Sequence, residues 1–164
     1  VPAITVRKIP WLETIPLRSE VLRPGLPLNE SMFAGDELTS SNHWGAFDEE
    51  GRLRAVGSVH WDLYPMSSPG ASAVGPIPPS WRIRGMASHP DVRGQGFGEA
   101  VLKAILEWVG ADDSGDLWCN ARETAIRFYE RHGFRIIGER FEIPNAGPHF
   151  RMWLPRGRDR DAAH

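Results

Sequence analysis

The alternation of apolar and polar positions divides the chain into short strands and three helical stretches. Ile4, Thr5 and Val6, within Ala3 to Arg7, make a first strand. Thr14 then caps a short helix that tolerates Pro16 in its first turn, runs to Leu22 and stops at Pro24-Gly25. Asn29 to Ser41 is polar and irregular. His43 to Phe47 and Leu53 to Leu63 read as strands, joined by a hairpin loop over Asp48-Glu49-Glu50-Gly51. Tyr64 to Pro79 is rich in Pro, Gly and Ser and reads as a surface excursion, with a domain linker as the competing reading. Trp81 to Ala87 resumes as a strand. Phe97, Val101, Ala104, Ile105 and Trp108 then recur at helical spacing up to Val109. After a turn over Asp112 to Asp116, Leu117 to Asn120 is a short apolar strand. Glu123 to His132 is a helix with Ala125, Phe128 and Tyr129 on one face, and Gly133 stands where a helix-ending glycine belongs. Phe134 to Ile143 and His149 to Leu154 are two closing strands around a Pro-Asn-Ala-Gly turn. This order predicts a mixed α/β sheet with a parallel crossover in its middle.

Composition narrows the class without choosing a function. A chain of 164 residues suits one domain, here 1–155, with 156–164 as a disordered Arg/Asp tail. A net charge of −2 provides no basic field, so neither nucleic acid nor an anionic membrane is expected as a partner. No apolar run approaches the roughly 20 residues of a membrane span, and no signal-peptide pattern opens the chain, so a cytoplasmic location is expected. Cys119 is the single cysteine, which excludes an internal disulfide. The seven tryptophans read as core or pocket lining.

The chemistry concentrates in Ser88 to Val109, where Gly94, Gly96 and Gly98 follow Arg93 and open the second helix. A helix start presents unpaired N–H groups and the positive end of the helix dipole, and glycines let an anion approach closely. Such a device holds a phosphate or pyrophosphate. It is not a Walker A loop, since no Lys-Ser or Lys-Thr follows the last glycine. Nor is it a dinucleotide fingerprint, since Glu99 replaces the third glycine. The competing reading is tight helix–strand packing alone, and the glycines by themselves divide evenly between the two. The pattern from Arg93 through Gly96 to Gly98, R-x-x-G-x-G, resembles the acetyl-CoA motif of the GNAT acetyltransferase superfamily. A second segment, Ala125 to Phe134, resembles that superfamily's other signature, a helix carrying Tyr129 and ending at Gly133-Phe134. The resemblance covers residues 80 to 154 well, and Trp118 to Arg122 with Gly147-Pro148-His149 resembles a bacterial branch without a defined substrate.

The resemblance implies an α/β GNAT-like fold: a mixed, mostly antiparallel central sheet, splayed at the cofactor site and flanked by helices. Its co-substrate is acetyl-CoA. Backbone N–H groups from Gly94 through Gln95, Gly96, Phe97 and Gly98 to Glu99 would hold the pyrophosphate, with Arg93 near its charge. The strand end Met86-Ala87-Ser88 would pair with the pantetheine arm, and the N–H of Met86 or Ala87 would stabilise the oxyanion. Tyr129 would donate a proton to the departing thiolate. Its bland counterpart is an apolar-face residue with an exposed tip. Where many members carry Asn seven residues before this Tyr, the chain has Arg122, which could meet the 3′-phosphate, meet an acidic substrate or cap the helix region. Asn120 lies two residues earlier and could touch the cofactor instead.

An amine must lose a proton before it attacks, so a base is needed. Glu142 and His149, on the closing strands, are the chosen candidates. Glu30, Asp36 and Glu37 lie in a loop expected to wall the substrate side, and His43 and His60 read as structural. Cys119 reads as a core residue rather than a nucleophile, and the histidines show no metal-ligand spacing, so no metal is expected. The expected activity is acetyl transfer to a small-molecule amine by direct attack in a ternary complex. The alternatives are a non-catalytic acyl-CoA-binding module and a protein lysine or N-terminal acetyltransferase. The closing strands are the candidate homodimer contact.

Overall fold

The computed structural model describes residues 3–62, 75–76, 79–112 and 115–156. Most of the expected Tyr64 to Pro79 excursion, and the expected tail from 157 onward, lie outside the described residues. The chain divides into two compact units, Val1–His60 with Arg84–Trp108, and Trp61–Ile83 with Val109–His164. Among the described residues seven strands form one sheet: β1 (Thr5–Lys8), β2 (Asn42–Phe47), β3 (Leu53–Asp62), β4 (Ser80–Ser88), β5 (Leu117–Arg122), β6 (Arg135–Ile143) and β7 (Gly147–Leu154). Their order is β1-β2-β3-β4-β5-β7-β6. The β1–β2, β2–β3, β5–β7 and β6–β7 pairs are antiparallel, and β4–β5 is the expected parallel pair. The helices are α1 (Ile15–Leu17), α2 (Phe97–Asp112) and α3 (Ile126–Glu130), supplemented by 3₁₀ and π turns.

In the first unit the β2–β3 hairpin closes where the sequence places it. Gly51 takes φ +80°, and the Asp48 carboxylate accepts the N–H groups of Glu50 and Arg52 at 3.0 and 2.9 Å. The first helical stretch departs from expectation at its start. It begins one turn early, at Trp11 after the extended Pro10, and passes through α1 into a π turn over Arg18–Leu22. Thr14 therefore lies inside the stretch, and its hydroxyl donates to the Trp11 carbonyl at 2.6 Å instead of capping the helix. Ile9, Leu17, Val56 and Ala87 form a buried cluster with Val21, Leu22, Phe47 and Leu53 against it. Val101, Leu102 and Ile105 of α2 are fully buried, and Gly57 of β3 lets the Met86 sulfur pack close to Val101 and Ile105.

Strand β4 carries an irregularity that the pattern does not announce. Gly85 has φ +66°, a left-handed conformation within a strand. Arg84 lies 4.4 Å over the Phe33 ring, and a Cβ on Gly85 would meet the same ring at 3.1 Å. Two successive residues thus turn to one side, which is how a bulge breaks the two-residue pleat.

In the second unit the β4–β5 ladder runs only from Trp81↔Leu117 to Ile83↔Cys119, ending two residues before Gly85. Strand β7 pairs with β5 over six residues, Leu117↔Leu154 to Arg122↔His149. The β6–β7 register shifts between Ile137 and Phe141, where Gly138 takes φ +75°. Gly133 ends α3 with φ +90°, and the Phe134 N–H reaches back to the Tyr129 carbonyl at 3.3 Å, the helix-ending turn expected there.

Candidate functional site

The glycine turn lies in the first unit. Gly94 and Gly96 have φ +80° and +94°, so the turn needs residues without a Cβ rather than merely small ones. The first α2 bond runs from the Ala100 N–H to the Gly96 carbonyl. The amides of Gly96, Phe97 and Gly98 therefore precede the helical ladder and have no acceptor within it. Gln95 differs from the expectation in detail, because its N–H is taken by the Val92 carbonyl at 3.1 Å. Arg93 is exposed beside them. Met86 and Ala87 point their side chains into packing, toward Gly57 and toward the Ile9 cluster respectively, so only their backbone is available to a ligand. This arrangement fits a pyrophosphate: unladdered donors, positive φ at the glycines, and open space at Gly94.

Beneath the β4 bulge the same unit buries a polar cluster that the sequence does not disclose. Arg18 is fully buried and holds Asp36 with two hydrogen bonds, 2.6 and 3.1 Å, and Ser58 with a third at 2.9 Å. His43 meets Ser58 Oγ through Nδ1 at 2.6 Å and the Asp36 carbonyl through Nε2 at 3.0 Å. His60 Nε2 stands 3.2 Å from Asp36 Oδ1. Donor atoms of Asp36, His43 and His60 lie within 4.8 Å of one another, close enough to share a cation. The Arg18 guanidinium already occupies both Asp36 oxygens and would repel one, so the group acts as a hydrogen-bond network.

Burial alone would raise the Asp36 carboxyl, but His60, Arg18 and the Phe33 N–H together hold it well below the ordinary carboxylate range. Burial also pulls His43 below its ordinary value, against the upward pull of Asp36. Both shifts have the same sign for stability, because in each case the unfolded chain binds the proton more readily. Stability should therefore fall in two legs as pH drops. The first begins near about 6.5 as unfolded His43 titrates, and the second below about 4 as unfolded Asp36 does. Denaturant midpoints from pH 8 to 3 check this, and His43→Gln should remove the first leg only.

In the second unit Tyr129 is buried, and its hydroxyl bonds the Cys119 thiol. Burial and then Cys119 push Tyr129 well above the ordinary phenol value. Burial pushes the Cys119 thiol up to about 12, which suits a core thiol and not a nucleophile. Phe128 and Phe134 pack edge-on to the Tyr129 ring at 5.1 and 5.4 Å. Asn120 receives a hydrogen bond from Arg151 Nε at 3.4 Å. Arg122 precedes the turn into α3 but makes no side-chain cap bond, which removes capping from its three candidate roles.

The two base candidates separate. Phe141 pairs with His149, and Glu142 with Pro148, so alternation puts Glu142 and His149 on opposite faces of the ribbon. The Glu142 carboxylate is largely exposed and 3.3 Å from Arg140. His149 is buried with Nδ1 2.8 Å from the Gly147 carbonyl, so that nitrogen donates and Nε2 is the basic one.

A loop of unpaired amides at a helix start, a mixed sheet whose parallel ladder stops short, and a Tyr on the helix ending at Gly-Phe define an acyl-CoA-dependent acyltransferase fold. The chain belongs to the acetyltransferase (GNAT) domain family, which matches residues 40–136. It is an N-acetyltransferase of that family. An uncharacterized N-acetyltransferase, YitI, of Bacillus subtilis is 29% identical over 150 residues, 92% of this chain and 95% of the relative. A Corynebacterium glutamicum structure described as histone acetyltransferase HPA2 and related acetyltransferase superposes with TM-score 0.72 at 21% identity, over 94% of this chain and 97% of that one. Escherichia coli ElaA superposes with TM-score 0.71 at 16% identity, over 92% and 99%. No helix of the described residues is long and apolar enough to cross a membrane.

Proposed function

We propose that the protein moves an acetyl group from acetyl-CoA to a small-molecule amine by direct attack in a ternary complex. The observation that carries this reading is the start of α2. There, amides of Gly96, Phe97 and Gly98 stand ahead of the helical ladder, beside Gly94 and the exposed Arg93. These groups would hold the pyrophosphate, and Glu99 adds its amide at the next position, whereas Gln95 turns its N–H to Val92 and its Nε2 to Asp91 and is left out of the donor set. The thioester supplies an activated carbonyl. The backbone N–H of Met86 or Ala87 offsets charge developing on its oxygen, and Ser88 and Asn120 complete the cofactor contacts. Tyr129 protonates the departing thiolate. Of the two base candidates His149 is preferred, since its Nε2 carries the lone pair while Glu142 is spent on an exposed ion pair. The β6–β7 ribbon, at the sheet edge, is the homodimer contact.

Free thiol released from acetyl-CoA across a panel of amines tests the reading. Release that depends on an acceptor is expected. Tight acetyl-CoA binding without release to any acceptor would favour a non-catalytic binding module, and release only with peptides would favour a protein acetyltransferase.

A further inference from the structure

Within the first unit the β4 bulge is gripped from both sides of the sheet. On one side Met86 lays its sulfur against Gly57, beside Val101 and Ile105 of α2. On the other, Gly85 meets Arg18 and Phe33, and a Cβ there would stand 2.7 Å from Arg18 Nε and 3.4 Å from its Cζ. The end of a long side chain usually yields to such a contact, but this one is fixed. Four hydrogen bonds tie its terminal nitrogens: the Ser31 carbonyl at 3.1 Å, the two Asp36 oxygens at 2.6 and 3.1 Å, and Ser58 Oγ at 2.9 Å. The Phe33 ring adds a wall 4.0 Å from Cζ, and the whole side chain is buried. Arg18 Nε, the nitrogen nearest Gly85, has no hydrogen-bond acceptor among the described residues. A buried donor left unpaired is costly, so it needs a reason. Here the guanidinium edge fills the place of a side chain at position 85, which a glycine at φ +66° concedes.

These contacts fix the backbone immediately ahead of Met86 and Ala87, whose amides are the oxyanion donors of the transferase reading. The peptide unit is planar, so the dihedrals of Gly85 decide where the next N–H points. Aim matters at this place, because a misplacement of about 1 Å can cost roughly 10²-fold in rate. We propose that Arg18 is a positioning residue for the transfer. Locked by Asp36 and Ser58, its guanidinium edge holds the Gly85 bulge so that the amide after it points at the thioester carbonyl. The same guanidinium anchors Ser31 and Asp36, so the 28–41 segment and the bulge share one support. This inference deepens the transferase reading above and rests on it.

The test compares the wild type with Arg18→Lys, which keeps a cation for Asp36 but has no planar edge for Gly85. Isotope-edited infrared spectra of carbonyl-labelled acetyl-CoA read the hydrogen bond directly, since a bonded thioester carbonyl stretches at lower frequency than a free one. Calorimetry with CoA, which has no acetyl carbonyl, reports the rest of the cofactor site. Arg18→Lys should return the bound carbonyl toward its free frequency and lower kcat roughly 10- to 100-fold, with CoA affinity within about 2-fold of wild type. A wild-type carbonyl frequency in the folded variant would overturn the proposal and leave Arg18 as an anchor of the 28–41 segment alone. Lost CoA affinity with the carbonyl unmoved, the mark of general distortion, would overturn it as well. If Arg18→Lys does not fold, Ser58→Ala decides by the same frequency, because it frees one arm of the guanidinium and leaves the Asp36 pair intact. If no amine is acetylated, the frequency alone decides. A wild-type carbonyl that does not shift on binding would instead sink the oxyanion reading beneath the proposal, which is a distinguishable result.

Discussion

Gly96→Glu is expected to abolish acetyl-CoA binding while the chain still folds. Gly96 has φ +94°, so any L side chain there costs about 1–2 kcal/mol in backbone strain. The nearest atom to an added Cβ is Ile4 Cδ1 at 3.7 Å, an ordinary contact, so strain rather than collision sets the folding cost. Binding suffers more, because a carboxylate would stand beside donors meant for a pyrophosphate. Gly96→Ala separates the two effects, carrying the strain without the charge. Calorimetric titration with acetyl-CoA should show no saturation for Gly96→Glu at concentrations that saturate the wild type, and reduced affinity for Gly96→Ala. Unchanged affinity in a folded Gly96→Glu would mean that the pyrophosphate lies elsewhere.

Tyr129→Phe is the second large effect, a fall in kcat of roughly 10²-fold with acetyl-CoA affinity retained. Because burial and Cys119 hold the Tyr129 phenol above its ordinary value, the proton stays on through neutral and mildly alkaline pH. Its loss should therefore not limit the rate between about pH 7 and 9. Cys119→Ala removes the thiol that the hydroxyl bonds but keeps the phenol, and should retain most of the turnover. A wild-type rate in Tyr129→Phe would return Tyr129 to the role of a packed core residue, a role that Phe128 and Phe134 against its ring would equally suit.

Elements whose signal is local could be read from the amino-acid order. The Asp48 to Gly51 hairpin, the helix opening at Phe97 and the Gly133 turn each depend on a few adjacent residues, and each stands within a residue or two of its expected place. The conformation of the glycine turn is equally readable, because positive φ at Gly94 and Gly96 is what adjacent glycines allow. What could not be read depends on bulges and on partners far apart in sequence. Continuing the Phe47↔Leu53 register without its shift would set His43 opposite Gly57, whereas the irregularity at Ala46/Phe47 sets it opposite Ser58. In the amino-acid order His43 and His60 stand isolated and Asp36 is a loop acid; in the fold both histidines meet the Asp36 and Ser58 that Arg18 holds across 18 and 40 residues. The facing of Glu142 and His149 is similar. Each strand alternates visibly, but their relation depends on how the closing turn pairs the strands, Ile143↔Gly147, which sets Phe141 rather than Glu142 opposite His149.

The grip of Arg18 on Asp36 also decides which parts of the 28–41 segment can be varied. Ser31, Phe33 and Asp36 are buried and serve that anchorage, through the Ser31 carbonyl, the ring under Arg18 and the carboxylate. Asn29, Glu30, Met32, Ala34 and Glu37 to Ser40 are exposed between them. A mutant library confined to the exposed positions would diversify this surface while the frame stays folded. One that includes Asp36 would spend most of its members on proteins missing about 3–5 kcal/mol of stability.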